Sequence, residues 1–137
     1  MDEIKANKQY HPQMHSAQHI LNQTMVRMFN CRRSFSNHIE KKKSKCDYHF
    51  DKDLTEKEIK EIEQQVNEII KQDLPVKEEF YLKDEAEKKF NLSKLPGDAG
   101  NKIRIIKIGD YDECPCSGLH VSNTNEIGKF KIISTGF

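Results

Sequence analysis

Two pairs of metal-binding side chains with the same spacing, His15 and His19 in HSAQH and Cys116 and His120 in CSGLH, stand at opposite ends of a 137-residue chain. Together they offer three imidazoles and one thiolate, a donor set suited to tetrahedral Zn²⁺. A fold that unites them must bring the two ends of the chain together. The pairs therefore predict one zinc site joining the N- and C-terminal segments. Either half alone arises easily by chance; the conjunction carries the expectation.

Four residues turn a helix by about 400°, so His15 and His19 stack on one helical face. That is the spacing of the zinc peptidase signature HExxH, where Glu after the first His serves as general base. Ser16 holds that position, which argues against a helical peptidase and leaves the metal half-site standing. In Cys114-Pro115-Cys116 either sulfur could reach a metal, and Cys116 is favoured because it repeats the four-residue spacing. Cys31 and Cys46 have no ligand-like neighbours and read as small buried apolar residues.

The length suits one domain over residues 1–137, with 35% hydrophobic and 33% charged residues implying a compact core under a highly charged surface. No apolar run reaches membrane-spanning length, and MDEIKANKQY is unlike a secretory signal, so a cytoplasmic protein with no membrane partner is expected. The charges are segregated. Asp51 to Glu87 carries 13 acidic residues against 6 lysines, a net of −7, and the rest of the chain is +8. Both ligand pairs lie in the basic part with Arg32, Arg33, Lys41, Lys42, Lys43 and Lys45, which fits a polyanionic partner as well as a solvated turn.

Pro12 fits a helix first turn, and Met14, Ala17, Leu21, Met25 and Met28 form an apolar stripe running to about Phe29, with His11 one turn earlier. Strands are expected over 34–39 and 45–50, joined by a lysine-rich turn. Thr55 and Glu58 form a capping box, Leu54 and Ile59 a hydrophobic staple, and Ile59, Ile62, Val66, Ile69 and Ile70 a buried helical face ending near Pro75. Further strands are expected over 76–81, 103–108, 118–122 and 129–134, a short helix over 83–90, and a loop over 95–102. The sum is an α+β domain, helices packed on a mainly antiparallel sheet.

With those residues in hand, the chain resembles the AlaX-type freestanding alanyl-tRNA editing proteins, relatives of the editing domains of alanyl- and threonyl-tRNA synthetases. The resemblance runs from His15 to about Phe130: HSAQHIL, then SNHIEKKKSKCDYHFD, then Glu63, Val66, Asn67 and Ile70 on a helix, then CSGLHVSNTNEIGKFKI. That last segment is the most specific, following a family pattern CGGTHVxxTGEIGxFKI. Ser117 and Leu119 replace its Gly and Thr, which bears on substrate preference more than on the metal. Without a glycine-rich N-terminal module, the chain is similar to the short subclass. Many relatives continue beyond the position of Phe137 with an arginine-containing strand.

The resemblance implies zinc held by His15, His19, Cys116 and His120, and hydrolysis in trans of the ester joining serine or glycine to tRNA for alanine. An alanine pocket excludes glycine or serine only about 10²-fold, so a second, hydrolytic sieve serves translation fidelity. By position in the resemblance, Ser36, Asn37, His38 and Asp47 are pocket residues. Arg32, Arg33, Lys41, Lys42, Lys43 and Lys45 would contact phosphates of the tRNA acceptor end. No residue stands out as general base, and the sequence does not set an oligomeric state. Two other readings compete: a non-catalytic zinc-stabilised RNA-binding module, and a zinc hydrolase of a small ester or amide.

Overall fold

The computed structural model describes residues 12–34, 36–39, 44–50, 52–90, 102–116, 118–133 and 135–136. His11, Lys41, Lys42, Lys43, Ser117 and residues 95–101 of the expected loop lie outside these, as do the side chains of Ser36 and His38. The elements are α1 (Pro12–Phe29), β1 (Ser36–Ile39), β2 (Ser44–Asp47), α2 (Glu56–Lys71), β3 (Val76–Leu82), α3 (Lys83–Lys89), β4 (Lys102–Ile108), β5 (Asp112–Pro115) and a 3₁₀ turn at Thr124–Ile127. The fold is α+β, with an antiparallel sheet β3-β4-β5 and a separate antiparallel hairpin β1-β2. No helix among the described residues is long and apolar enough to cross a membrane.

Helix α1 opens on Pro12, whose missing N–H costs nothing at a helix start. It closes at Asn30, which takes a left-handed φ of 54° while its N–H bonds to Val26 O. The apolar stripe contributes buried Ala17 and Met25, but the deepest apolar residue is Ile20, off that stripe. Most of the buried face is polar: His15, Ser16, Gln18, His19, Asn22 and Thr24. Most of these meet partners from elsewhere in the chain, which makes α1 the organising element of the site.

Helix α2 begins at the expected box, Glu58 N–H donating to Thr55 Oγ1 and Thr55 N–H to Glu58 Oε1. Its Ile62, Val66, Ile69 and Ile70 join Ile20, Met25, Ile108 and Tyr111 in the main core. Strand β4 is central and carries buried isoleucines on both faces. Ile103 and Ile105 pack under α3 with Ala86, while Ile108 faces the main core. Register pairs Ile108 with Asp112 and Ile106 with Cys114, placing those two β5 residues on the face turned toward the main core.

Strand β5 was not anticipated, and two expected strands are absent among the described residues. The first, 118–122, is irregular: α1 takes the Leu119 carbonyl and the Val121 N–H, while the Ser122 carbonyl accepts the Val76 N–H beside an isolated bridge of Pro75 with Asn123. The second, 129–134, lies along α2 instead of a sheet. Asn67 accepts the Phe130 N–H and donates to the Phe130 carbonyl, and Glu63 accepts the Ile132 N–H. Helix side chains thus take the place of a partner strand.

Candidate metal centre

The four residues of the two spaced pairs meet. One potential donor atom from each of His15, His19, Cys116 and His120 lies within 4.8 Å of all the others, and both histidines of α1 are buried. Cys116 Sγ is 3.3 Å from His15 Nε2 and 3.5 Å from His120 Nε2. Tetrahedral zinc with ordinary bond lengths separates its donors by about 3.3–3.6 Å. The donors therefore fit a metal ion, and Cys114 is not among them.

The ring orientations follow from what the opposite nitrogens touch. His15 Nδ1 donates to the Leu119 carbonyl at 3.1 Å. His120 Nδ1 is 3.0 Å from Ser16 Oγ, which also accepts the Val121 N–H at 3.1 Å. His19 Nδ1 lies 3.5 Å from Asp112 Oδ2, a long contact that leaves it without a well-formed hydrogen bond. With each Nδ1 turned outward, Nε2 is the nitrogen left to coordinate, the usual role of such outer partners. Ser16, at the position of the peptidase glutamate, is thus a tie between helix and loop.

Gly118 completes the cradle. A Cβ there would sit 2.2 Å from His15 Cε1 and 2.5 Å from its Nδ1, so the His15 ring occupies the space a side chain would need. Its amide also points at the sulfur, 3.5 Å from Cys116 Sγ. The rings of His15 and His120 stack at 4.2 Å, with His19 edge-on to both.

Charge follows from this arrangement. Burial would raise the Cys116 thiol, but hydrogen bonds from His120, His15 and His19 bring it down to about 2, so the sulfur is a thiolate. Burial pushes His120 down to about 4. His19 goes the other way: against its burial, contacts with Asp112 and Cys116 raise it. Asp112 is lowered, its burial outweighed by His19 and by the Arg33 guanidinium, which binds it through two nitrogens at 2.8 and 3.3 Å.

The other sequence candidates are dispersed. Arg33 forms an ion pair with Asp112, which ties it to the cluster. Arg32 and Lys45 are exposed, and Lys45 is 4.0 Å from Asp47. Asn37 accepts a hydrogen bond from Ser34 Oγ; Ser34 N–H and Tyr48 OH both donate to Asn22 Oδ1, one turn along α1 from His19. That network hangs the β1-β2 hairpin beside the helix that carries His15 and His19. Gln18 Oε1, next to His19, is buried without a hydrogen-bond partner among the described residues. Sequence reasoning missed Asp112, although alternation from Cys116 through Cys114 leads to it.

Comparison with known proteins places this geometry. Residues 103–136 match the family model described as the threonyl and alanyl tRNA synthetase second additional domain. The alanine–tRNA ligase of Fervidobacterium nodosum is 35% identical over 135 residues, 98% of this chain and 15% of the ligase. This chain is a relative of the alanine–tRNA ligases. Their likeness extends to Caldicellulosiruptor saccharolyticus, 36% identical over 88% of the chain and 14% of the ligase. In Thermoanaerobacter pseudethanolicus it is 47% over 59% of the chain and 9% of the ligase. The chain thus spans only 9–15% of the length of these relatives. The relationship agrees with the AlaX-type resemblance read from His15 to Phe130.

Proposed function

We propose that the chain is a zinc-dependent aminoacyl-tRNA hydrolase of the AlaX type, cleaving the ester of tRNA for alanine mischarged with serine or glycine. The observation that carries this reading is the convergence of His15, His19, Cys116 and His120 in a relative of the alanine–tRNA ligases. When bound, zinc supplies a Lewis acid that polarises a carbonyl or lowers the pKa of water. The chain's own residues do the rest. The Leu119 carbonyl and Ser16 orient the His15 and His120 rings, and Asp112 faces His19 Nδ1 at 3.5 Å. Asp112 is engaged by Arg33 and His19, which suits orienting His19 rather than accepting a proton.

In this reading Arg32 and Lys45 hold phosphates of the acceptor end, with Lys41, Lys42 and Lys43. Ser36, Asn37, His38 and Asp47 line the pocket for the amino acid, and the protein works in the cytoplasm, where its substrate is. An aminoacyl ester is already reactive, so modest assistance suffices. The test is deacylation of seryl-, glycyl- and alanyl-tRNA for alanine with and without chelator. Rapid, chelator-sensitive loss of serine or glycine with alanine retained is expected; no cleavage of either mischarged tRNA by zinc-loaded protein refutes the proposal.

The full set of four protein donors favours one second reading, a zinc-stabilised RNA-binding module, since structural zinc sites are closed. Replacing His19 with Ala separates them. Loss of folding speaks for structural zinc, and loss of turnover in a folded protein speaks for hydrolysis.

A further inference from the structure

Arg104 makes three hydrogen bonds to the loop that carries the sulfur. Its carbonyl accepts the Cys116 N–H at 3.2 Å, and its Nη1 donates to the carbonyls of Cys116 at 3.2 Å and Gly118 at 2.7 Å. Its Nε donates to Glu78 Oε2 at 2.6 Å. The sheet register explains the brace: Arg104 on β4 faces Phe80 on β3, so Glu78 is its diagonal neighbour on the same face. Both loop carbonyls are drawn toward the guanidinium, while the Gly118 N–H faces Cys116 Sγ.

We infer that Arg104, braced by Glu78, is the positioning residue of the metal loop, holding Cys116 and Gly118 so that sulfur and His120 meet the ion in one geometry. The inference rests on the metal-site reading above. A strand arginine needed only for a surface ion pair would have no reason to bind the carbonyls of Cys116 and Gly118. The task also requires arginine, because one planar fork serves a carboxylate through Nε and two carbonyls through Nη1. The lysine ammonium is a point charge without that fixed fork.

Zinc affinity, measured by competition with a chromophoric chelator, and the visible spectrum of the Co²⁺-substituted protein test this directly. Arg104→Met is expected to weaken zinc binding about 10- to 100-fold and to shift the cobalt bands, as loss of outer-sphere support does at other sites. Arg104→Lys should restore only part of the loss. Glu78→Gln, at a half-exposed position, should weaken binding less but in the same direction. Folded Arg104→Met with unchanged affinity and spectrum overturns the inference. Should that variant fail to fold, Glu78→Gln decides, and wild-type behaviour there overturns it. Failure of the wild-type chain to take up zinc would instead overturn the metal site itself.

Discussion

Gly118→Ala is the sharpest test of the cradle. Gly118 does not adopt the left-handed backbone reserved for glycine, which among glycines is recorded at Gly109 and Gly128, so the substitution probes space and not conformation. The new methyl would stand 2.2 Å from His15 Cε1, where ordinary contact begins at 3.4 Å, so ring or loop must give by about 1.2 Å. The ring is not free to yield: its Nδ1 is bonded to Leu119 and its face is stacked on His120. Metal-ligand distances tolerate only about ±0.2 Å. His15 is therefore lost as a ligand, and zinc affinity should fall by at least about 100-fold, beyond the usual effect of an outer-sphere change. Chelator competition measures this, with circular dichroism showing that the helices persist. Wild-type affinity in folded Gly118→Ala would refute both the placement of His15 and the closeness of the loop.

Ser16→Ala leaves His120 Nδ1 and the Val121 N–H without their partner, at a cost of about 1–3 kcal/mol seen in urea unfolding and a 10- to 100-fold weaker zinc affinity. Asp112→Asn strips the Arg33 guanidinium of its partner and should destabilise the metal-free protein by about 3 kcal/mol at neutral pH, the low end for a buried pair because Arg33 is partly exposed. The Asp112 carboxyl is lowered on folding, so its contribution is complete above the ordinary carboxylate value of about 3.9 and is lost as pH falls through the folded one. Stability curves of wild type and variant should therefore converge in acid, and a gap independent of pH would count against the pairing. Asn67→Ala unpairs the Phe130 N–H and carbonyl. Hydrogen exchange at Phe130 and Ile132 should speed up while zinc affinity stays unchanged.

Where a signal is local, the sequence was enough to read it. The capping box at Thr55, the proline start of α1 and the isoleucine periodicity of α2 each depend on residues within a turn or two of one another, and all appear in the structure. The convergence of the four side chains was legible for a different reason: donor chemistry and spacing are carried by residue identity, so the meeting could be expected without knowing the path between the ends. What escaped was everything decided by long-range polar pairing. Residues 129–134 look like a strand because their alternation suits one, but a hydrophobic pattern does not say whether β-strand or helix side chains will satisfy the backbone. Ser16 looked like a missing glutamate until its partners, His120 and Val121, came from the other end of the chain. Asp112 lay unmarked among Asp110, Glu113 and the cysteines; only its register against Ile108 separates it from its acidic neighbours.

The polar face of α1 has a consequence for the order of events during synthesis. His15 and His19 leave the ribosome roughly 5–20 s before Cys116 and His120, at ordinary elongation rates of about 5–20 residues per second. A helix whose inner face were leucine and valine would spend that interval as an adhesive surface. This one interrupts its Ala17, Ile20 and Met25 with serine, glutamine, histidine, asparagine and threonine, which water can satisfy until the last strand and loop arrive. A bound ion would then act as a latch across a loop of about a hundred residues, where a cross-link is worth on the order of 4–5 kcal/mol in chain entropy. In this chain, taking up the metal would tie the first helix to the last loop and add that increment to a fold already formed.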